Sequence, residues 1–171
     1  MKVVLLGYMA SGKSTTGKTL ARRLNTRFFD LDDEISNRVG MDIPTIFSKK
    51  GELFFRKTES IVLNELLQSE ESFVLSLGGG TPCYGNNIEV IQQATSNTFY
   101  INLSIPELIA RISKEKDKRP LVSTLSDEEL PEFLGKHLFE RAPFYNKANH
   151  TIMANGKTVE ELVSEIENCL V

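Results

Sequence analysis

The sequence predicts an α/β fold in which one five-stranded parallel sheet carries helices on both faces. Two observations lead to this prediction. Short apolar runs alternate with stretches of helical periodicity along the whole chain, a pattern typical of repeated strand–helix units. A glycine-rich turn, GYMASGKS, also stands between the first apolar run and the first helical stretch. The 171 residues are expected to form a single domain, 1–171, because this length suits one hydrophobic core.

Five apolar runs predict the strands. In chain order they are KVVLL at 2–6, RFFDLD at 27–32, SFVLSL at 72–77, TFYINL at 98–103 and HTIMA at 150–154. Open parallel sheets bind their ligands beyond the carboxyl ends of the strands. Gly7, Asp30, Asp32 and Gly78 fall at such ends. We therefore expect these four residues, from separate parts of the chain, to converge on one crevice.

Helical periodicity fills the gaps between these runs. The predicted helices cover KSTTGKTLARRLN at 13–25, Glu59–Leu67, Asn87–Ala94, Pro106–Ile112 and Asp127–Tyr145. The clearest helix is the last one. Thr158 and Glu161 have the spacing of a capping box, and the apolar residues after them recur on one helical face.

Composition excludes several classes of protein. The formal net charge is −3, which does not suit a general nucleic-acid-binding protein. No apolar run reaches the roughly 20 residues of a membrane helix. The N-terminal apolar run, MKVVLL, is too short for a signal peptide, and Gly7 and Lys13 prevent its extension. Cys83 and Cys169 form no CxxC pair, so we interpret them as reduced thiols. We expect a cytoplasmic monomer without nucleic-acid or membrane partners.

The opening turn fits the pattern of a phosphate-binding loop, G-x-x-x-x-G-K-[ST], at Gly7, Gly12, Lys13 and Ser14. Glycines let the backbone turn tightly and aim successive N–H groups at one point. The following helix adds its positive dipole end. Lys13 is expected to reach the β- and γ-phosphates and Ser14 to bind Mg²⁺. The alternative is a glycine-rich turn that only caps a helix.

Two carboxylates follow the second predicted strand. Asp30 and Asp32 are two residues apart, so on an extended segment they share one face and address one site. One could hold a water of the Mg²⁺ shell, and the other could accept a proton from a substrate hydroxyl. The alternative is an acid-rich helix N-terminus with Asp32, Asp33 and Glu34 on the helix dipole. The two interpretations are compatible.

Further candidates lie in four segments. GELFFRKTE carries Arg56 and Glu59, and SLGGGTP places three glycines, Gly78, Gly79 and Gly80, directly after a strand. Consecutive glycines cost backbone entropy. Their presence is explained if a ligand approaches the backbone closely there, and the alternative is a flexible loop without a function. The charged run ending in Arg119 is most simply solvated surface, and a cation such as Arg141 near a helix end also suits the dipole.

In this order and spacing, the motifs G-x4-G-K-S, D-L-D, G-x3-F-R-x2-E, G-G-G, K-R-P-L and R-A-P-x-Y resemble those of the shikimate kinase family over essentially the whole chain. The resemblance implies a small P-loop kinase of the nucleoside-monophosphate-kinase type. It implies transfer of the γ-phosphoryl group of ATP, with Mg²⁺, to the 3-hydroxyl of shikimate on the route to chorismate and the aromatic amino acids. It also implies a substrate-binding segment at about 31–60 and a mobile lid at about 113–126.

The resemblance also implies roles for individual residues. Those assigned to the ATP phosphates are Ala10, Ser11, Gly12, Lys13, Ser14 and Thr15, with Ser14 on Mg²⁺ and Asp30 on the metal through water. Asp32 would bind the shikimate hydroxyls, and Arg56 and Arg141 its carboxylate, with the backbone of Gly78, Gly79 and Gly80 completing the pocket. Arg119 would reach the ATP phosphates from the lid, and Arg111 would lie near adenine. Lys13, Asp32 and Arg119 are the expected catalytic residues, and Phe55 is the best candidate to contact the substrate ring.

The chain departs from the family pattern in two places and leaves alternatives open. Ala10 stands where many members have glycine, and Lys57 replaces a common second arginine. A GTP switch is disfavoured because NKAN at 146–149 lacks the aspartate of the guanine-reading motif. A kinase for gluconate or a nucleoside monophosphate, and a regulatory ATPase module, remain as alternatives. Neither His137 nor His150 has a ligand-spaced partner, so neither is assigned a direct role.

Overall fold

The structure, a computed structural model, describes all 171 residues and contains one sheet of five parallel strands. The strands are β1 (Lys2–Leu6), β2 (Arg27–Asp30), β3 (Phe73–Ser76), β4 (Thr98–Asn102) and β5 (His150–Met153). Their spatial order is β2-β3-β1-β4-β5. The strand order therefore switches at β1: β2 and β3 lie on one side of it, and β4 and β5 lie on the other. Ligands of such sheets bind where the order reverses, beyond the carboxyl ends of the central strands. The predicted fold class is confirmed.

Seven α-helices surround the sheet. They are α1 (Lys13–Arg23), α2 (Leu31–Val39), α3 (Ile43–Gln68), α4 (Asn87–Ala94), α5 (Ile105–Glu115), α6 (Leu130–Tyr145) and α7 (Val159–Cys169). Short 3₁₀ turns lie at Thr81–Cys83 and Lys116–Lys118. The capping box predicted for the last helix is present, with reciprocal bonds between Thr158 and Glu161. None of the helices has the length and apolar character needed to cross a membrane.

Two apolar clusters sandwich the sheet, because successive strand residues point to opposite faces. On β1, Val3 and Leu5 belong to the cluster formed with α1, α5, α6 and α7, whereas Val4 and Leu6 belong to the cluster formed with α2, α3 and α4. All four side chains are fully buried. The central strand therefore has no solvent-facing side, and its carboxyl end is held rigidly beneath the loop that follows.

The second strand ends two residues earlier than predicted. β2 stops at Asp30, and Asp32 lies in the first turn of α2. The prediction that both aspartates share a face of one extended segment is therefore wrong. The physical reason is capping: the Asp30 carboxylate accepts a hydrogen bond from the Asp32 backbone N–H, at 3.1 Å, and so begins the helix. The alternative of an acid-rich helix N-terminus is the one observed.

The helix predicted at Glu59–Leu67 is the second half of a much longer one. α3 begins after Asp42, whose side chain caps the Thr45 N–H, and it bends at Gly51, where φ is +84°. This left-handed conformation favours glycine. The bend separates the short first part of α3 from the second part, which carries Arg56 and Glu59. Helix α2 had no predicted bounds, and the remaining helices begin or end within a few residues of theirs.

Candidate active site

The loop from Gly7 to Ser14 connects β1 to α1 at the centre of the sheet edge. Ala10 and Gly12 have left-handed φ angles of +62° and +91°, which turn the chain back on itself before the helix. A Cβ at Gly7 would lie 2.7 Å from the carbonyl oxygen of Ile101 on β4, so only glycine fits against that strand. The conformation of the loop therefore depends on its glycines and on its close packing against β4.

Lys13 lies folded beneath this loop. Its Nζ donates to the carbonyl oxygens of Gly7 and Tyr8, at 2.8 and 2.9 Å, and the residue is 8% exposed. Burial lowers its pKa to about 8, against the opposing attraction of Asp32 and Asp30. The ammonium group is thus desolvated in advance, which strengthens its interaction with an anion entering the loop.

Ser14 and Asp30 form a pair of hard oxygen ligands beside the lysine. The Ser14 hydroxyl donates to Asp30 Oδ2 at 2.6 Å and lies 3.4 Å from the hydroxyl of Ser76 on β3. Mg²⁺ prefers oxygen ligands and binds through one or two protein groups, its own waters and substrate phosphates. This hydroxyl–carboxylate pair fits that mode of binding, so Ser14 and Asp30 would hold the ion.

A cleft of about 560 Å³ opens over the loop; we call it the loop cleft. Its lining includes every residue predicted to bind ATP or the metal except Ser11, which is buried and turns its backbone N–H to the carbonyl of Tyr8 at 3.3 Å. Arg111 on α5 donates to the carbonyl oxygen of Ala10 at 3.2 Å and so ties α5 to the loop. Lys114 and Glu115, which the sequence analysis did not single out, also line the cleft.

A second cleft of about 260 Å³, the arginine cleft, adjoins the first. Arg56 and Arg141 line it together with Phe47 and Phe55, and the two phenylalanine rings pack at 4.6 Å. Phe55 was the aromatic residue predicted to contact the acceptor, and the structure places it in this wall. The two clefts have Met9, Asp32, Gly78, Gly79 and Arg119 in common.

The glycine run lets the two arginines converge. A Cβ at Gly80 would lie 2.8 Å from Arg56 Nη2 and 3.2 Å from Arg141 Nη2, and one at Gly79 would lie 3.1 Å from Arg141 Nη1. Side chains at these positions would fill the space that the guanidinium groups occupy. Arg56 and Arg141 are far apart in sequence, yet both lie against the same short backbone segment.

The buried carboxylate of Glu59 orients the Arg56 side chain. Its carboxylate accepts from Arg56 Nη1 and from the Thr81 hydroxyl, both at 2.8 Å, and the residue is 1% exposed. An unpaired carboxylate at this depth would be costly, so the pair is held together by its burial. The sequence analysis did not predict this contact, although the three-residue spacing of Arg56 and Glu59 on one helix would have indicated it.

Asp32 and Arg119 lie at the junction of the two clefts. Burial, with Asp30 and Glu59 nearby, raises the pKa of Asp32 to about 6, although Lys13 and Arg56 oppose the shift. Arg119 pairs with Glu115 at 3.0 Å, and its Nε is buried without a hydrogen-bond partner. A carboxyl group with a pKa near neutrality and a cation therefore both line the region that the two clefts share.

The fold and the paired clefts define a P-loop kinase that transfers phosphate to a small molecule. The sequence model of shikimate kinases matches residues 9–171. The chain therefore belongs to the shikimate kinase family. Its activity is the ATP- and Mg²⁺-dependent phosphorylation of shikimate at the 3-hydroxyl, a step of aromatic amino acid biosynthesis. The alternatives of a regulatory ATPase and of a gluconate or nucleoside monophosphate kinase are thereby set aside.

Individual relatives agree with this membership. The chain is 43% identical to a shikimate kinase of Flavobacterium johnsoniae over 169 residues, which cover 99% of this chain and 98% of the relative. The crystal structure of the Bacteroides thetaiotaomicron shikimate kinase superposes with a TM-score of 0.88 at 34% identity, covering 99% of this chain and 96% of that one. A shikimate kinase from Acinetobacter baumannii, solved in complex with shikimate, has a TM-score of 0.86 at 34% identity, with 98% and 91% coverage.

Proposed function

We propose that the arginine cleft binds shikimate and that the loop cleft binds the phosphates of ATP. Arg56 and Arg141 hold the shikimate carboxylate, because two planar guanidinium groups can bind both oxygens of one carboxylate. Phe55 and Phe47 pack against the ring, and the backbone of Gly78, Gly79 and Gly80 forms the floor of the site. The convergence of the two arginines on one glycine run is the observation that carries this proposal. The shikimate complex of a close structural relative supports it.

On the nucleotide side, the backbone from Ala10 to Thr15 surrounds the phosphates. Lys13 exchanges its two carbonyl contacts for the β- and γ-phosphates, and Arg111, already bonded to the loop, lies toward the adenine. When bound at Ser14 and, through water, at Asp30, Mg²⁺ neutralises charge on the phosphate oxygens. Lys13 and Arg119 act from two sides on the charge of the γ-phosphoryl group during transfer.

Asp32 lies where the acceptor hydroxyl meets the phosphoryl group. With a pKa raised to about 6, it is mainly ionised at neutral pH and accepts a hydrogen bond from the 3-hydroxyl. The transition state of phosphoryl transfer is loose, so the attacking oxygen gains little positive charge before the transfer. We therefore assign Asp32 chiefly to orientation and secondarily to removal of the proton.

The segment at about 113–126 acts as a lid in this proposal. It contains Arg119 and contributes Lys118, Pro120 and Leu121 to the arginine cleft. Closure of such a segment excludes water from the reacting groups and limits idle hydrolysis of ATP.

The carboxylate assignment is tested by changing both partners of the contact. We expect Arg56→Ala and Arg141→Ala each to raise the KM for shikimate about 10- to 100-fold, since each removes charge-assisted hydrogen bonds, while the KM for ATP stays within about twofold. Arg56→Lys should also raise it, because an ammonium group lacks the planar fork. Steady-state kinetics of purified variants provides the measurement, and Arg22→Ala, an exposed arginine of α1, is the control.

A shikimate analogue with a neutral alcohol in place of the carboxylate completes the test. The wild-type enzyme should reject it by about 10⁴-fold in kcat/KM, since buried polar groups would lose their partner. If the analogue is phosphorylated about as well as shikimate, the two arginines do not bind the carboxylate, and the acceptor must lie elsewhere in the cleft.

We also propose that the enzyme works as a monomer in the cytoplasm. All residues assigned to the two substrates come from a single chain, so no second copy is needed to complete the site. Cys83 and Cys169 are free thiols, which suits a reducing compartment. Analytical ultracentrifugation of the purified protein at micromolar concentration gives its mass in solution and so tests whether it is a monomer.

A further inference from the structure

Tyr84 covers one face of the Arg56 guanidinium group. The Arg56 Cζ lies 3.8 Å from the centre of the Tyr84 ring, the shortest of the cation–aromatic contacts in the structure. The Tyr84 hydroxyl donates to Glu52 Oε1 at 3.0 Å. Tyr84 follows the 3₁₀ turn after the glycine run, whereas Arg56 and Glu52 lie on α3. The contact therefore joins two segments of the arginine cleft.

The remaining contacts of Arg56 leave its guanidinium little freedom. Nη1 bonds to the buried Glu59 at 2.8 Å, and Gly80 passes directly beside Nη2. The Phe55 ring lies 5.0 Å from Cζ. Nε is buried without a hydrogen-bond partner, and its distance to Glu52 Oε1 is 3.9 Å, too long for a hydrogen bond. One edge of the group is thus held by Glu59 and one face by the Tyr84 ring.

Tyr84 itself does not line either cleft, and it is 37% exposed. A partly exposed tyrosine is common on protein surfaces. The specific feature of Tyr84 is that its ring stacks on a guanidinium group. The contact with Arg56 is therefore the route by which we expect Tyr84 to affect substrate binding.

We propose that Tyr84 is a positioning residue for substrate recognition: its ring stacks on Arg56 and holds the guanidinium plane in the orientation that receives the substrate carboxylate. This inference rests on the proposed role of Arg56. An arginine that must be ordered during binding loses part of its binding free energy as side-chain entropy, and an arginine ordered beforehand does not. The ring also shields the cation from water, which strengthens its attraction for an anion.

The test separates the ring from the hydroxyl. Tyr84→Leu removes both, and we expect the KM for shikimate to rise about tenfold, a size within the range of a partly desolvated cation–π contact. The kcat and the KM for ATP should stay within about twofold. Tyr84→Phe keeps the ring and should restore the KM to near the wild-type value, and Glu52→Gln should do no more than Tyr84→Phe. Tyr84→Gln, a polar replacement suited to an exposed position, gives a second measurement of the missing ring.

A double variant shows whether Tyr84 acts through Arg56. In an Arg56→Ala background, Tyr84→Leu should add less than about twofold to the KM for shikimate, because the contact no longer exists. If Tyr84→Leu and Tyr84→Gln both leave the KM unchanged while Arg56→Ala raises it, the positioning role is wrong and the proposed carboxylate site stands. If Arg56→Ala also leaves the KM unchanged, the carboxylate site is wrong. Full additivity of the two substitutions would mean that Tyr84 acts independently of Arg56.

Discussion

Two side chains of the clefts, Asp32 where the clefts adjoin and Lys13 in the loop cleft, have pKa values displaced toward neutrality. The pKa of Asp32 is raised to about 6 and that of Lys13 is lowered to about 8, and burial is the leading cause of both shifts. Each group also counteracts the shift of the other, since a carboxylate and an ammonium group stabilise each other's charged forms. Because of their placement, we expect the pH dependence of enzyme activity to follow the titration of these two groups.

The pH dependence of the acceptor side follows from Asp32. Below pH 6 its carboxyl group is mainly protonated, so it accepts only a weaker hydrogen bond from the substrate hydroxyl and cannot take up the proton. The kcat/KM for shikimate at saturating ATP should therefore fall about tenfold per pH unit below about pH 6. Asp32→Asn should lower kcat/KM at pH 7.5 by about 10²- to 10⁴-fold and flatten this acid limb. The pH profiles of both proteins between pH 4.5 and 8 provide the measurement.

Asp33→Asn is the matched control for this profile. Asp33 lies in the same first turn of α2 but is exposed, so its variant should keep both the rate and the acid limb. A wild-type acid limb near pH 4, or one that persists in Asp32→Asn, would assign the titration to another group.

At the level of elements, α6 connects the two clefts. Tyr8 in the phosphate loop and His137 on α6 lie 2.7 Å apart, from Oη to Nδ1, and their rings meet edge to face at 5.4 Å. Two turns further along, the Tyr145 hydroxyl donates to the Gly79 carbonyl at 2.6 Å. Arg141 lies between these two anchors on the same helix. The helix thus holds Arg141 in register with both the phosphate loop and the glycine run.

His137 makes this anchor sensitive to acid. Burial, with Arg141 nearby and Glu140 opposing it, lowers the His137 pKa from 6.5 to about 4. Between these values the unfolded chain binds more protons than the folded one, so the histidine stabilises the fold above pH 6.5 and loses that contribution as the pH falls toward 4. The side chain is half-buried, so we expect a contribution of about 1 kcal/mol after solvent screening. Urea unfolding of wild type and His137→Gln at pH 7 and pH 4.5 measures it.

The comparison has to be made between variant and wild type, because Asp32 acts in the same pH range with the opposite sign. Its raised pKa means that the folded state binds more protons between pH 4 and 6, and this effect is common to both proteins. The wild type should lose about 1 kcal/mol more than His137→Gln between the two pH values. Equal losses would show that His137 is not held neutral by its contacts.

At the scale of the whole molecule, the parts that the sequence predicted are those set by local pattern. Periodicity indicated all five strands, and the spacing around Lys13 indicated the loop, because glycine content and strand–helix order are local properties. The N-cap at Asp30 was misjudged because an apolar–acidic run is equally consistent with a strand end and a helix start. The contacts of Tyr84 with Arg56 and of Tyr8 with His137 could not be predicted. They join segments 28 and 129 residues apart (84 − 56 and 137 − 8), and no pattern within one segment specifies the partner.

Both substrate sites are built on one sheet, so they should share one folding transition. Val4 and Leu5 alternate into the two apolar clusters, and β1 pairs directly with β3 and β4. Neither cluster can lose its packing without exposing one face of the same central strand. The substrate-binding segment at about 31–60 belongs to this unit in our proposal, since Leu31, Ile35 and Ile46 are fully buried in one of the clusters.

This single-unit proposal predicts how a ligand of the arginine cleft changes global stability. Far-ultraviolet circular dichroism and tyrosine fluorescence, which no tryptophan obscures because the chain has none, should give coincident urea transitions. Shikimate at about 100 times its Kd should raise the free energy of unfolding by about 2.7 kcal/mol and shift both signals together, because it binds only the folded state. Arg56→Ala, at the same shikimate concentration, should retain only about 0.4 to 1.4 kcal/mol of that increase if its affinity falls 100- to 10-fold. An intermediate plateau, or a shift of one signal alone, would mean that the substrate-binding segment unfolds separately from the sheet.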